Sequence, residues 1–304
     1  MGMKININKH IYDPEDAAVP VLDRGFLYGD SVYEVLRTYK GRLFAVKRHI
    51  NRLCNSAARI ALKIPDPSEI LDQVKITMAA AGNEESYVRI IVTRGTGPIT
   101  LDPFTAENPL TVILVKRFVE FEKKQYEEGI SLLVPNVRRN SRYALDPAIK
   151  SGNYLNSILA LEEAKSMGYD DALMLDINGR ITEATTSNVF IVDENGVLCT
   201  PKLQTGILEG VTRGFILDLA ERLGLDCLEK DLFPEDLEKA REVMLTSTLR
   251  EVMSVTRIDG RKIADGRPGP VSKLIREKFR QFAMELIEKE SQDKADNDHH
   301  GKVD

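Results

Sequence analysis

Apolar positions along the chain follow two rhythms, and the change between them outlines the elements. Over residues 46–62, Val46, Ile50, Leu53, Ala57, Ile60 and Ala61 recur at helical spacing, while Lys47, Asn51 and Arg59 fall on the side left for water. Leu71 to Ala81 reads as a second helix, stopped by Gly82. Tyr87 to Val92 and Leu110 to Val115 are rich in β-branched residues and predict strands, with Gly95-Thr96-Gly97-Pro98 as a loop between them.

From Phe118 to Gly129 the chain turns strongly polar, which predicts a connection between two domains. Ile130 to Val134 then reads as a strand, Arg138 to Ala148 as a loop, and Asn153 to Met167 as a helix stopped by Gly168. In that helix Leu155, Ile158, Leu159 and Ala164 predict a buried stripe. Asn178-Gly179 and Asn195-Gly196 each separate alternating apolar runs, the dipeptide that favours a type I′ hairpin turn, and Asp259-Gly260 repeats the signal. Helices at about residues 212–223 and 272–288 complete the pattern. Clustered strands with flanking helices predict an α+β fold rather than a doubly wound sheet. The expected division is a small domain over 1–118, a linker over 119–129, a larger domain over 130–288, and a polar, disordered tail over 289–304.

At 304 residues the chain is long enough for two apolar centres, and 42% hydrophobic with 29% charged residues is an ordinary globular balance. A net charge of -5 provides no basic excess for holding nucleic acid through its phosphates. Cys54, Cys199 and Cys227 are odd in number and far apart, which predicts a reduced compartment. The four histidines are too scattered for a metal site. With no apolar leader and no membrane-length run, the expectation is a cytoplasmic protein without membrane contact.

The chemistry enters at Pro147-Ala148-Ile149-Lys150-Ser151-Gly152-Asn153-Tyr154-Leu155-Asn156. Thr182-Glu183 follows about thirty residues on, and Thr246-Ser247-Thr248 further downstream. An amine, a carboxylate and a hydroxyl cluster are what a pyridoxal phosphate site requires: a Schiff-base nitrogen, a partner for the pyridine nitrogen, and donors for a phosphate dianion. Alone, each has a plainer meaning, such as a solvated loop lysine or an exposed strand glutamate. Four more stretches stand with them in order: Asp23-Arg24-Gly25-Phe26-Leu27-Tyr28-Gly29-Asp30-Ser31-Val32-Tyr33-Glu34, His49-Ile50-Asn51-Arg52-Leu53, Thr182 to Phe190, and Gly210-Val211-Thr212-Arg213.

Across residues 4–285 this set resembles the class IV aminotransferases, the fold type IV pyridoxal phosphate enzymes, and most of all the branched-chain group. The resemblance implies a two-domain α+β fold with the active site between domains, completed in a homodimer or larger homo-oligomer. It implies pyridoxal 5′-phosphate on Lys150, with Tyr154 at the phenolate oxygen and Glu183 at the pyridine nitrogen. The phosphate falls to Arg52, to the amides of Val211 and Thr212, and to Ser247 and Thr248. Tyr28, Tyr33, Arg37, Tyr87 and Arg89 match positions lining the substrate pocket, and the amides of Thr248 and Leu249 would receive the α-carboxylate. The implied reaction is ping-pong transfer of an amino group between a branched-chain amino acid and 2-oxoglutarate.

Several residues depart from that subgroup. The run Glu183-Ala184-Thr185-Thr186-Ser187-Asn188 looks more like the D-amino acid aminotransferases, Val35 stands where glycine is frequent, and Arg250 is a bulky cation where small residues are usual. Against a D-amino acid enzyme, Ile99-Thr100-Leu101 occupies the place of that group's Arg-x-His carboxylate clamp. A 4-amino-4-deoxychorismate lyase, which uses the same fold and cofactor for elimination, is the further alternative.

Overall fold

A computed structural model describes residues 2–300, with side chains as far as residue 289. In the first part β1 (Lys4–Ile7), β2 (His10–Tyr12), α1 (Arg24–Tyr28), β3 (Ser31–Tyr39), β4 (Arg42–Leu43), α2 (Val46–Arg59), α3 (Pro67–Ala81), β5 (Ser86–Thr93) and β6 (Thr111–Arg117) build one antiparallel sheet and its helices. The strand order is β2-β1-β6-β5-β3-β4. Because side chains alternate across a strand, Val32, Leu36, Val88, Ile90, Val92, Ile113 and Val115 bury one face beneath α2 and α3. Tyr33, Val35 and Arg37 of β3 lie on the other face, beside Tyr87 and Arg89 of β5 in the cross-strand pairs Val35–Arg89 and Arg37–Tyr87.

The polar connection holds a short helix, α4 (Lys123–Glu128), and is not wholly irregular. Beyond it run β7 (Ile130–Leu133), α5 (Leu155–Ser166), β8 (Asp171–Leu175), β9 (Ile181–Ala184), β10 (Asn188–Val192), β11 (Leu198–Pro201), α6 (Val211–Arg222), β12 (Cys227–Lys230), α7 (Pro234–Lys239), β13 (Glu242–Ser247), β14 (Glu251–Ile258), β15 (Arg261–Lys262) and α8 (Pro270–His300). Pairing follows β12-β11-β10-β13-β14-β7-β8-β9, and β9 returns to β10 through Glu183–Asn188. Six strands thus close into a ring. Each strand gives alternate residues to one buried cluster, among them Leu132, Leu173, Ile181, Val189, Leu245 and Met253. The parallel pairs β7–β8 and β11–β12 are joined by α5 and α6, the crossover that parallel strands require.

The two parts share a core. Phe44, which follows β4, is fully buried, with ring centroids 5.3 Å from Phe215 of α6 and 5.7 Å from Phe279 of α8. Burying such a ring stabilises by roughly 1.5–3 kcal/mol, so the sheets are held together by more than the linker.

Three expectations change. In α5 the buried residues are Ser157, Ala160 and Ala164, whereas Leu155, Ile158 and Leu159 are 67%, 55% and 48% exposed. Small side chains let the helix lie close on β8, where Ala160 and Ala164 meet Ala172 and Met174, and this turns the larger apolar residues outward. The Asn-Gly hairpins also differ from the type I′ expectation. Only Asp259-Gly260 has positive φ at both central residues (49° and 76°). In the other two, Asp176 and Asp193 accept the amides of Gly179 and Gly196 on their carbonyls. Their carboxylates take the amides of Asn178 and Arg180, and of Asn195 and Val197. An aspartate two residues upstream of each asparagine therefore closes an ordinary turn, and only the glycine goes left-handed. Finally, α8 continues to His300, beyond the end expected near residue 288; residues 301–304 of the polar tail lie outside the described residues.

Candidate active site

The segment carrying Lys150 crosses from the ring to the first sheet and is stitched to it. Tyr33 N donates to the Lys150 carbonyl (3.0 Å), Gly152 N to the Ser31 carbonyl (2.9 Å), and Lys150 N to Ser56 Oγ (3.1 Å). A Cβ on Gly152 would lie 2.4 Å from Ser31 Oγ, so only glycine allows this approach. The lysine is thereby fixed to β3, and its Nζ lies 4.5 Å from the centre of the Tyr33 ring. The Arg89 guanidinium lies 4.4 Å from the same ring. Burial and then the neighbouring Arg52 charge pull the Lys150 ammonium down to about 7, with Arg89 adding to the effect and Glu34 and Glu183 opposing it. Near neutral pH much of this lysine is an uncharged amine.

Glu183 lines the same cavity as Lys150, Tyr33 and Tyr154. It sits at the pair that closes the strand ring, which aims its carboxylate inward. Arg139 Nη2 donates to Oε1 (2.7 Å), while Asn188 Nδ2 (3.2 Å) and the Leu208 amide (3.0 Å) donate to Oε2. The Tyr154 ring lies 5.5 Å from that of Tyr33, and burial together with Glu183 raises the Tyr154 phenol above its ordinary range, keeping it protonated.

A second buried carboxylate acts on the lysine's charge. Glu34, fully buried on β3, accepts Arg52 Nε (2.6 Å) and Nη2 (2.9 Å) and His49 Nδ1 (2.8 Å). Burial pushes its carboxyl up, but Arg52 and His49 outweigh that and hold it well below the usual range. Burial lowers His49, so the ring stays neutral with its Nδ1 proton on Glu34. The remaining Arg52 nitrogen, Nη1, donates to the Glu209 carbonyl (3.0 Å), which places the guanidinium at the entry of α6. There Gly210 caps the helix so close to Asn188 that a Cβ would lie 1.9 Å from Oδ1. The hydroxyls of Thr212 and of Thr246, on β13 opposite Asn188, are buried without a hydrogen-bond partner among the described residues. A helix N-terminus, a guanidinium and an unpartnered hydroxyl together form a cradle suited to a phosphate dianion.

A model of the amino-transferase class IV family matches residues 31–258. The chain belongs to the class IV aminotransferases. It is 40% identical over 281 residues to a putative branched-chain-amino-acid aminotransferase of Methanocaldococcus jannaschii, covering 92% of this chain and 96% of that one. It is 36% identical over 282 residues to the D-alanine aminotransferase of Listeria monocytogenes, covering 91% and 95%. The branched-chain amino acid aminotransferase of Escherichia coli has the same fold, with a TM-score of 0.88 at 30% identity over 93% of this chain and 95% of that one. Class IV aminotransferases use pyridoxal phosphate, and a further solved branched-chain enzyme of this fold is described with pyridoxamine 5′-phosphate and with N-(5′-phosphopyridoxyl)-L-glutamate.

The residues present fit that cofactor: an amine pulled down to about 7, a carboxylate pinned by three donors, and a cradle whose Thr212 hydroxyl has no hydrogen-bond partner among the described residues. Of the residues expected at the site, Lys150, Tyr33, Tyr154 and Glu183 share one cavity, with the Arg89 guanidinium against the Tyr33 ring. Arg52, Val211 and Thr212 converge at the start of α6. Ser247 ends β13 and Thr248 and Leu249 form the turn after it, while Tyr87 lies on the sheet face of Arg89. One expectation places differently: Arg37 is buried against Glu251 instead of opening onto the lysine's cavity. Tyr28 lies at the end of α1 under the Arg24 guanidinium (5.1 Å).

Residues without an expected role prove central. Arg139 and Asn188 hold Glu183, and Glu34 with His49 holds Arg52. Glu34 and His49 stand inside the motif stretches, and their spacing from Arg52 on a neighbouring strand and helix was the signal available. Nothing in the order of residues singles out Arg139.

Proposed function

We propose that this class IV aminotransferase binds pyridoxal 5′-phosphate on Lys150 and moves an amino group between a branched-chain aliphatic amino acid and 2-oxoglutarate by a ping-pong mechanism. The observation that carries it is the single cavity in which Lys150, Tyr33 and Glu183 meet, with the Arg89 cation, unpaired with any acid among the described residues, against the Tyr33 ring. Bound there, the cofactor supplies an electron sink for the charge left on the substrate's α carbon. Nζ of Lys150 holds the cofactor and, when free, carries a proton from the α carbon to the carbon that receives the amino group, which requires the neutral amine its surroundings favour. Glu183, held in place by donors from Arg139, Asn188 and the Leu208 amide, is the partner that keeps a proton on the pyridine nitrogen. Tyr154 donates to the phenolate oxygen. Arg52, the amides of Val211 and Thr212, and the hydroxyls of Ser247 and Thr248 hold the phosphate. The amides of Thr248 and Leu249 take the substrate α-carboxylate, with Tyr33, Val35 and Tyr87 giving an apolar wall and Arg89 a cation for a distal carboxylate.

The assembly is proposed as a homodimer in which the segment with Tyr28 completes a neighbour's pocket. Phe26 beside it and Ile99, Leu101 and Phe104 are exposed, and Arg24 ties the two segments by donating to the carbonyls of Thr100 and Leu101. A D-amino acid aminotransferase is the second reading, supported by the relatives of that activity. Half-reaction spectra of the holoenzyme against L-leucine, L-glutamate and D-alanine separate them. Rapid loss of the aldehyde-form absorbance with both L-substrates is expected; a clear preference for D-alanine overturns the branched-chain assignment.

A further inference from the structure

At the turn that joins β13 to β14, one residue has a conformation its side chain must justify. Ser247 and Glu251 face each other as the last pair, and Thr248, Leu249 and Arg250 form the loop. A left-handed backbone is where glycine is the default, yet Glu251, the residue paired with Ser247, has φ +58°. The side chain is fully buried. Its Oε1 accepts Arg37 Nη1 (3.2 Å) and the Tyr39 hydroxyl (2.8 Å), and its Oε2 accepts Arg280 Nε (2.5 Å). A buried carboxylate is tolerable only with such partners, and these come from two places, Arg37 and Tyr39 from β3 and Arg280 from α8, so that with the ring's Glu251 three elements meet.

Arg37 and Tyr33 lie four residues apart on one face of β3, and Tyr33 bonds the Lys150 carbonyl and lies against its amine. A single strand therefore connects the lysine to the turn through Arg37 and Glu251. On its opposite flank the turn is anchored by Arg250, whose Nη1 donates to buried Asp171 (2.6 Å).

We propose that Glu251 is a positioning residue: through Arg37, Tyr39 and Arg280 it sets the distance and tilt of the Thr248–Leu249 amides relative to Lys150, and so governs how the substrate's α-carboxylate is held. This rests on the reading that those amides receive the α-carboxylate. It also gives Arg37 a role different from lining the substrate pocket.

Arg280 supplies the test, because it is partly exposed on α8 and its loss leaves Arg37 and Tyr39 on the Glu251 carboxylate. With saturating pyridoxal phosphate, Arg280→Met is expected to raise KM for L-leucine and for 4-methyl-2-oxopentanoate about tenfold, with kcat falling by less than threefold. Arg280→Lys should recover most of the lost affinity. Adding Arg37→Met should give less than the product of the two single effects, since both act on one carboxylate. A KM unchanged in Arg280→Met, even with a lowered Tm, overturns the proposal. So does full additivity of the two arginine variants. A wild-type enzyme with no transamination at all would instead refute the function on which it rests.

Discussion

The face of the first sheet and the turn after β13 each bring an arginine towards the substrate region, and the two are in opposite states. Arg89 lies on an aromatic ring, has no acidic partner among the described residues, and keeps a buried Nε without a hydrogen bond. Arg250 is spent: Asp171, buried at the start of β8, holds it at 2.6 Å and is itself held by the Thr185 hydroxyl, while Ser187 accepts a further bond at 3.3 Å. In sequence Arg250 directly follows the turn proposed to take the α-carboxylate, a position from which a cation could compete for a distal carboxylate. Position along the chain says where a charge is, and only packing says whether it is already neutralised.

Variants can break or sharpen this comparison. The largest effect belongs to the lysine both regions serve: Lys150→Ala should keep the fold and lower turnover by roughly 10⁴-fold or more. Next comes the spent arginine. Arg250→Ala leaves the Asp171 carboxylate buried without its cation, so denaturant unfolding should show a loss of about 3–5 kcal/mol, and kcat/KM should change alike for dicarboxylate and aliphatic substrates. Selective loss on 2-oxoglutarate would show that Arg250 is the receptor after all. The free arginine has a smaller and selective effect. A charge-assisted bond contributes about 1.5–3 kcal/mol, so Arg89→Leu should weaken kcat/KM for 2-oxoglutarate roughly tenfold to a hundredfold and spare 4-methyl-2-oxopentanoate. Equal losses would make Arg89 structural.

The smallest effect is on pH. The ordinary lysine ammonium loses its proton near 10.5, but burial and Arg52 bring Lys150 down to about 7. Since only the neutral amine attacks an aldehyde, capture of pyridoxal phosphate by apoprotein should rise with pH up to about 7 and flatten above it. Each pH unit below that value should slow capture about tenfold. A rate still climbing beyond pH 9 would mean an unperturbed lysine.

The fold and the site were legible to different depths. The helix over Val46–Arg59 and the strand over Ser86–Thr93 have clear periods, and their limits came within a few residues. In α5 the leucines misled, because Ser157, Ala160 and Ala164 offered a closer seat on β8 than the larger side chains could. The order of Lys150, Glu183 and the hydroxyl cluster was readable because each lies in a short motif. The supports were not: Arg139, ten residues past the linker and in no motif, reaches Glu183 only because the strand ring closes. Arg37, matched to a substrate position, is drawn away by a glutamate more than two hundred residues later. Buried ion pairs are decided by topology, which local pattern does not carry.

The central claim is that Lys150 binds the cofactor and that everything around it serves that amine. Borohydride reduction of the purified holoenzyme followed by peptide mapping tests it directly. The account predicts one phosphopyridoxyl label, on Lys150 in the peptide around Ile149-Lys150-Ser151. A label on any other lysine, or a protein with no reducible cofactor bound, would contradict it.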